Sequence, residues 1–285
     1  MRLTAPREFA RSVTLAALSL MFVAPRAGCQ WLEAKGNGYS IFYQKGFEND
    51  VPFARTWADR AEVVMRDKYH VARNPYRVSI YLHPAAAGGI DVSSARNRCC
   101  SASIAGDSAA IIDMLAPSAP AMRAASAISS LGFPKNSDSY QAKILMSEYI
   151  PLGHYAVQNE RPAGGWKYYS APNWFVQGLQ EYDAIMHTTD SNRTATAAAL
   201  SKWILSHTTV VACCAQDLQI SDDYNGGAAF MAFLAAEFGE DVHRKLLASS
   251  ASTFSAALTE QTAPNSRSQL FDRFQQWLRA GAPIK

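Results

Sequence analysis

Apolar and polar positions predict three strands and one helix in the first half of the chain. The segment 39–43 is rich in aromatic and β-branched residues and is bracketed by glycines, which is typical of a strand. Apolar residues recur at helical spacing from Val51 to Tyr69 and predict an amphipathic helix. Further strands are predicted at 77–82, where apolar and polar residues alternate, and at 109–115.

From residue 141 onward the pattern is mostly helical. Helices are predicted over 140–156, 172–187, 193–206, 223–238, 240–249 and 267–280. Strands followed by helices favour an α+β fold, with a small N-terminal β-sheet and a mainly helical C-terminal part. No repeat and no Pro/Gly linker divides residues 30–285, so we expect one domain. Its part 30–138 mixes strands and helices, and 139–285 is helical.

The first residues have a different pattern. Arg2, Arg7 and Arg11 precede an apolar run from Val13 to Ala24, and small residues follow at 27–28. The run is shorter than the about 20 residues that a transmembrane helix needs. A basic start, a short apolar centre and small residues are typical of a secretory signal peptide. We therefore expect residues 1–28 to be removed and the mature chain, which has no transmembrane segment, to be secreted or periplasmic.

Two alternatives remain open at this end of the chain. A buried N-terminal helix would also be apolar. Lipoprotein processing would place a lipid on Cys29, although Arg26 stands where the bacterial lipobox normally has an aliphatic residue.

The charge distribution argues against nucleic acid as a partner. Residues 1–28 carry four Arg and one Glu, so they account for the whole formal net charge of +3. The mature chain is then close to neutral. No basic stripe runs along the sequence to attract phosphates.

The remaining cysteines form two vicinal pairs, Cys99-Cys100 and Cys213-Cys214. Adjacent cysteines rarely bond each other, and oxidising compartments favour disulfides, so we expect two bridges between the pairs. Both ways of connecting the pairs are open. The competing interpretation is a four-thiolate zinc site, which fits less well because zinc knuckles use CxxC spacing.

Three segments carry the candidate chemistry, and they come in a recognisable order. They are 143–154 (KILMSEYIPLGH), 171–183 (APNWFVQGLQEYD) and 224–239 (YNGGAAFMAFLAAEFG). Together they resemble the peptidase MA-like (gluzincin) family of zinc metallopeptidases. That family has an HExxH helix, then a helix that opens with Trp and carries a ligand Glu and a Glu-Tyr pair. The resemblance covers roughly residues 140–281 and implies a metallopeptidase scaffold.

The resemblance also assigns roles to particular positions. In the family, two His four residues apart share Zn²⁺, and the Glu after the first His deprotonates the zinc-bound water. A third ligand, Glu, comes from the next helix. In this chain Glu148 stands at the general-base position, while Ser147 and Pro151 replace the two His and Gln177 replaces the ligand Glu. Serine and amide oxygens are poor zinc ligands, and proline has no ligand atom.

Pro151 also has a mechanical consequence. Within a helix, proline removes a hydrogen bond and clashes with the preceding turn, at a cost of about 3 kcal/mol. We therefore expect the helix to bend or end where the second His of the motif would stand.

A rearranged zinc site is the alternative. His154 lies seven residues after Ser147 and Glu181 four after Gln177, so each shares a helix face with a lost ligand position. Glu148, His154 and Glu181 would then hold the zinc. Without a metal, we expect His154 to bond to backbone at a helix end and Glu181 to be a structural carboxylate. Glu148 would be a partly buried acid that needs a partner.

An aromatic cluster precedes and opens the second segment. Such clusters usually belong to the core, but this one could also line a cleft for a peptide or a sugar. Trp174 and Tyr182 are therefore candidate binding residues. The cluster consists of Trp166, Tyr168, Tyr169, Trp174 and Phe175.

Three functions are consistent with these observations. The first is an exported gluzincin-like protein, catalytically impaired or inactive, that binds an extracellular peptide or wall polysaccharide. The second is an active zinc metallopeptidase with atypical ligands. The third is a structural surface protein. No cofactor is expected unless a rearranged site binds Zn²⁺, and neither a G-x-S-x-G elbow nor a glycine-rich phosphate loop is present.

Overall fold

Five strands form a mixed sheet in the first half of the chain. The computed structural model describes residues 30–85, 100–105, 108–125, 137–161, 164–188 and 224–283. The strand order is β1-β2-β3-β5-β4; β2, β3 and β5 are parallel, and β1 and β4 pair antiparallel with their neighbours. The strands are β1 (Trp31–Lys35), β2 (Tyr39–Gln44), β3 (Arg77–His83), β4 (Cys100–Ala105) and β5 (Ala109–Leu115).

One face of this sheet carries the apolar positions that the alternation predicts. These residues are less than 3 % exposed, and α1 and α3 pack against the sheet. Burying each such side chain stabilises the fold by about 1.5–3 kcal/mol. The buried set includes Ile41, Val78, Ile80, Leu82, Ile112 and Met114.

Most of the predicted helices are confirmed within the described residues. The helix predicted at 193–206 lies outside them. The described residues also contain two short 3-10 turns, Glu48–Asp50 and Tyr168–Ser170. The helices are α1 (Val51–Tyr69), α2 (Pro120–Arg123), α3 (Asp138–Tyr149), α4 (Pro151–Asn159), α5 (Asn173–Thr188), α6 (Asn225–Phe238), α7 (Val242–Ala248), α8 (Phe254–Gln261) and α9 (Arg267–Arg279).

The expected interruption at Pro151 is confirmed. The predicted helix 140–156 is divided into α3, which ends at Tyr149, and α4, which has Pro151 as its first residue. Proline suits a first helical position because it has no N–H to leave unpaired. Ile150, between the two helices, keeps helical dihedral angles (φ −58°, ψ −35°). The backbone therefore stays helical through the junction.

Helices α5 and α6 cross where two glycines meet. A Cβ atom at Gly178 would lie 2.3 Å from the carbonyl carbon of Gly227, and one at Gly227 would lie 2.1 Å from the carbonyl oxygen of Trp174. No side chain fits at either position, so Gly178 and Gly227 permit the close approach of the two helices. This crossing fixes α5, the helix that carries Gln177, against the core.

The expected α+β class is confirmed. The described residues from Trp31 onward belong to one compact unit. In the part of the chain that the structure describes, no helix is both long and apolar enough to cross a bilayer.

Candidate functional site

The three positions that the gluzincin resemblance assigns to zinc ligands lie on α3, α4 and α5. The hydroxyl of Ser147 donates to the carbonyl oxygen of Ile144, at 2.9 Å, within its own helix. Pro151 is buried at the start of α4. Gln177 is partly exposed on α5, which packs against α3.

Glu148, at the position of the general base, is partly buried and contacts the edge strand of the sheet. The thiol of Cys100 donates to its Oε1 atom, with the sulfur 3.2 Å from the oxygen. Cys100 is 6 % exposed and is the first residue of β4. Glu148 therefore has a partner, as a partly buried carboxylate requires. The same contact places the start of β4 beside the site.

Glu181 forms a buried ion pair with a residue one helical turn before Ser147. The Lys143 ammonium lies 2.5 Å from Glu181 Oε1, and the two side chains are 10 % and 5 % exposed. The pair joins α3 to α5. Glu181 is thus a structural carboxylate in this fold.

His154 belongs to a second buried network. Its side chain is fully buried in the middle of α4, with Nε2 3.0 Å from Asp183 Oδ2 and Nδ1 3.0 Å from the Tyr168 hydroxyl. The expected bond from His154 to backbone is therefore wrong. Asp183 also accepts from Lys68 Nζ at 2.6 Å and from the Tyr69 hydroxyl at 2.5 Å.

The charges in this network are balanced. Burial by itself raises the pKa of Asp183, but the Lys68 ammonium and the His154 hydrogen bond outweigh burial and lower that pKa below its usual range. Burial lowers the pKa of His154, and the hydrogen bond to Asp183 opposes this effect. Because a carboxylate only accepts, Nε2 of the neutral imidazole donates to Asp183 and Nδ1 accepts from Tyr168. Both ring nitrogens of His154 are engaged.

The aromatic cluster is mainly core. Trp166, Tyr168, Trp174 and Phe175 are 5 % exposed or less, whereas Tyr169 is 74 % exposed. Tyr182, the other candidate binding residue, is also fully buried and donates to the Glu240 carboxylate. Trp174 and Tyr182 therefore stabilise the helical layer and do not line a surface cleft.

The cysteine prediction lies mostly outside the described residues. Cys99, Cys213 and Cys214 are not among them, so the two bridges stay a prediction; a bridge at Cys100 would replace the thiol that donates to Glu148.

These donors do not suit a zinc ion. Ser147 uses its hydroxyl within the helix, Pro151 has no donor, and His154 and Glu181 are bonded to other partners. The described residues include Glu148, His154 and Glu181, yet no three His, Cys, Asp or Glu side chains among them are grouped so that they could hold a metal. Each of the three side chains of the rearranged site is bonded to a different partner.

No protein-family model matches the chain, and no curated protein is significantly similar to it. The resemblance to the gluzincin family therefore depends on the three segments alone.

Sequence reasoning missed the residues that bond to the candidate site side chains. Lys143 stands in the first segment, and its place one turn before Ser147 on a largely buried helix was the available signal. Asp183 directly follows the Glu-Tyr pair, and Cys100 was assigned only to a disulfide. Lys68 and Tyr69 lie at the end of α1, far along the chain from Asp183, so no sequence signal linked them to it.

Proposed function

We propose that this is an exported protein on a gluzincin-like scaffold that binds an extracellular peptide and does not cleave it. Export is supported by the basic and apolar pattern of residues 1–28. Loss of catalysis is supported by the side chains at the three ligand positions, which offer a hydroxyl, no donor and an amide. The buried Lys143–Glu181 pair, which engages the carboxylate of a candidate ligand, joins α3 to α5.

The observation that carries the binding proposal is the placement of β4. Among the described strands β4 is an edge, and residues 102–105 are exposed, including Ile104 at 38 %. An edge strand presents unpaired N–H and C=O groups on which an extended peptide can add as a further strand. Because Cys100 contacts Glu148, a peptide on this edge would lie beside the site that the scaffold uses for its substrate.

Proline substitutions in β4 test this proposal. Successive N–H groups of a strand point to opposite sides, so one of Ala102→Pro and Ser103→Pro removes an outward donor and the other removes a bond to β5. We expect the outward variant to keep its melting temperature and lose at least tenfold in affinity for peptides selected from a random 12-residue library. The variant that loses the bond to β5 serves as the matched control, and its lower melting temperature identifies it.

Two results would contradict the proposal. One is that the library yields no saturable peptide, which leaves the structural role. The other is peptide hydrolysis together with one equivalent of zinc by elemental analysis, which supports the metallopeptidase with atypical ligands. His154→Ala then asks whether the zinc depends on the rearranged site.

A further inference from the structure

A polar cleft of about 1080 Å³ opens at the amino-terminal ends of the parallel strands. It is bordered by the β1–β2 turn, by the end of α1 with the loop that follows, and by the first residues of β3. Glu148 lies near the other end of these strands, because its partner Cys100 pairs with Met114 late in β5. The cleft is therefore separate from the site described above.

Basic side chains dominate the lining. Lys35, Arg66, Arg73 and Arg77 come from β1, α1, the loop after α1 and the start of β3, and all four are exposed. Within the described residues, only Arg66 forms an ion pair, with its exposed sequence neighbour Asp67. Such a pair contributes little in water. The other three cations have no carboxylate partner in the described structure.

The two carboxylates of the cleft are already engaged. Glu62 accepts from the Tyr149 hydroxyl at 2.6 Å and from the Asn74 amide at 3.1 Å, and Glu33 accepts from the Ser40 hydroxyl at 2.8 Å. Four cations and two carboxylates leave the lining with a net charge of +2. This excess of positive charge raises the local concentration of anions in the cleft.

We propose that this cleft binds a ligand that carries at least two phosphate or carboxylate groups. The cations stand on four different segments around a large opening, so a single small anion does not reach all of them. The guanidinium fork matches both phosphate and carboxylate oxygens, and three of the four cations are arginines. A soluble polyanion and an anionic lipid surface offer the same chemistry.

Calorimetric titration with pyrophosphate and with citrate in low salt tests the soluble form. We expect saturable binding of at least one of them, weakened at least tenfold in Arg73→Gln/Arg77→Gln and several-fold when salt is raised to about 0.2 M, because salt screens exposed charges. The matched control is Lys245→Gln/Arg279→Gln, which removes the same charge from exposed positions outside the cleft. We expect it to bind like the unaltered protein.

Co-sedimentation with vesicles tests the lipid form. Binding to phosphatidylglycerol vesicles and not to phosphatidylcholine vesicles, lost in the cleft variant and kept in the control, identifies a lipid headgroup as the source. The proposal is overturned if none of the three probes binds, or if the control variant loses as much binding as the cleft variant. Unchanged melting temperatures of both variants verify that they fold. Ala102→Pro and Ser103→Pro probe the other site, so the two proposals fail independently.

Discussion

Two positions of α5, with one residue between them, hold separate buried charges. Glu181 pairs with Lys143 of α3, and Asp183 binds Lys68, Tyr69 and His154. Residues two apart on a helix point to nearly opposite sides, so the two groups do not merge. Each carboxylate is largely or fully buried, and each is stabilised only as long as its cation is present.

Glu181→Gln tests the first of these groups. The substitution keeps the shape of the side chain but leaves the Lys143 ammonium buried without a counter-charge. Removing one member of a buried pair costs about 3–5 kcal/mol. We expect the free energy of unfolding, measured by urea denaturation at neutral pH, to fall by about 3 kcal/mol on that basis.

The matched control replaces both charges. In Lys143→Met/Glu181→Leu no charge stays buried, and replacing a buried pair by apolar residues is often neutral. We expect this double variant to recover most of the lost stability. If its loss of stability equals the sum of the losses in Lys143→Met and Glu181→Leu, each measured alone, the pair is not coupled and our account of it is wrong.

The junction of α3 and α4 lies between two of the three positions that the gluzincin resemblance assigns to zinc ligands. Pro151 ends the hydrogen-bond ladder, but the helical angles of Ile150 keep Ser147 and Pro151 one turn apart on one helical path. Residues four apart on a helix share a face. The backbone therefore keeps residues 147 and 151 on one helix face, as the gluzincin resemblance expects of its ligand positions.

Restoring the ligands tests this directly. In Ser147→His/Pro151→His/Gln177→Glu, two imidazoles and one carboxylate would face one another across α3, α4 and α5, which is a set that zinc accepts. We expect this variant to bind about one equivalent of zinc after dialysis against a chelator-free buffer, measured by elemental analysis.

Ser147→Ala/Pro151→Ala/Gln177→Glu is the control for this experiment. It makes the same backbone change at residue 151 and adds the same carboxylate, but supplies no imidazole. Equal zinc contents in the two variants would argue that these positions do not face a common centre. The gluzincin resemblance would then lose its main support.

Histidines with lowered pKa values make the stability of the whole molecule depend on pH. Burial lowers the pKa of His243 on α7 to about 3, and the Lys68 ammonium adds to this effect. Burial is also the main cause that lowers the pKa of His187 on α5 to about 4. Nε2 of His243 donates to the Met231 carbonyl, whereas Nδ1 has no partner within the described residues.

The protein should therefore lose stability on mild acidification. An unfolded histidine takes up its proton near pH 6.5, while the folded one resists protonation, so the unfolded state binds more protons below that pH. His243 alone contributes a loss of about 2 kcal/mol between pH 7 and pH 5. Below about pH 4 the Asp183 carboxylate takes up a proton in the unfolded state. Its lowered pKa keeps it ionised in the folded state, so the loss of stability increases.

Urea denaturation at pH 7 and pH 5 measures this effect. His243→Gln removes the titrating group, so we expect a smaller difference between the two pH values than in the unaltered protein. His70→Gln, at an exposed position, is the control and should keep the full difference. Equal pH dependence in all three proteins would show that His243 is not the source.

Elements with a strong apolar period were predicted closely. The observed bounds of α1 and β5 equal the predicted ones, because each element has one apolar face that is buried in the core. Strand β4 was missed, since its sequence of small residues, Cys-Ser-Ala-Ser-Ile-Ala, has little β propensity and it forms by pairing with β5. Helix α8 was missed as well, although Thr253 caps its first turn.

The sequence by itself determined which ligand atoms are present. Ser147, Pro151 and Gln177 differ from zinc ligands in their chemistry, and Pro151 has no backbone N–H to donate to the turn before it. Only the tertiary structure decided what Glu181 contacts, because its partner Lys143 lies 38 residues away. The basic cleft likewise needs four segments brought together. Periodicity reports which face of an element is buried, whereas pairing between distant side chains depends on how the elements pack.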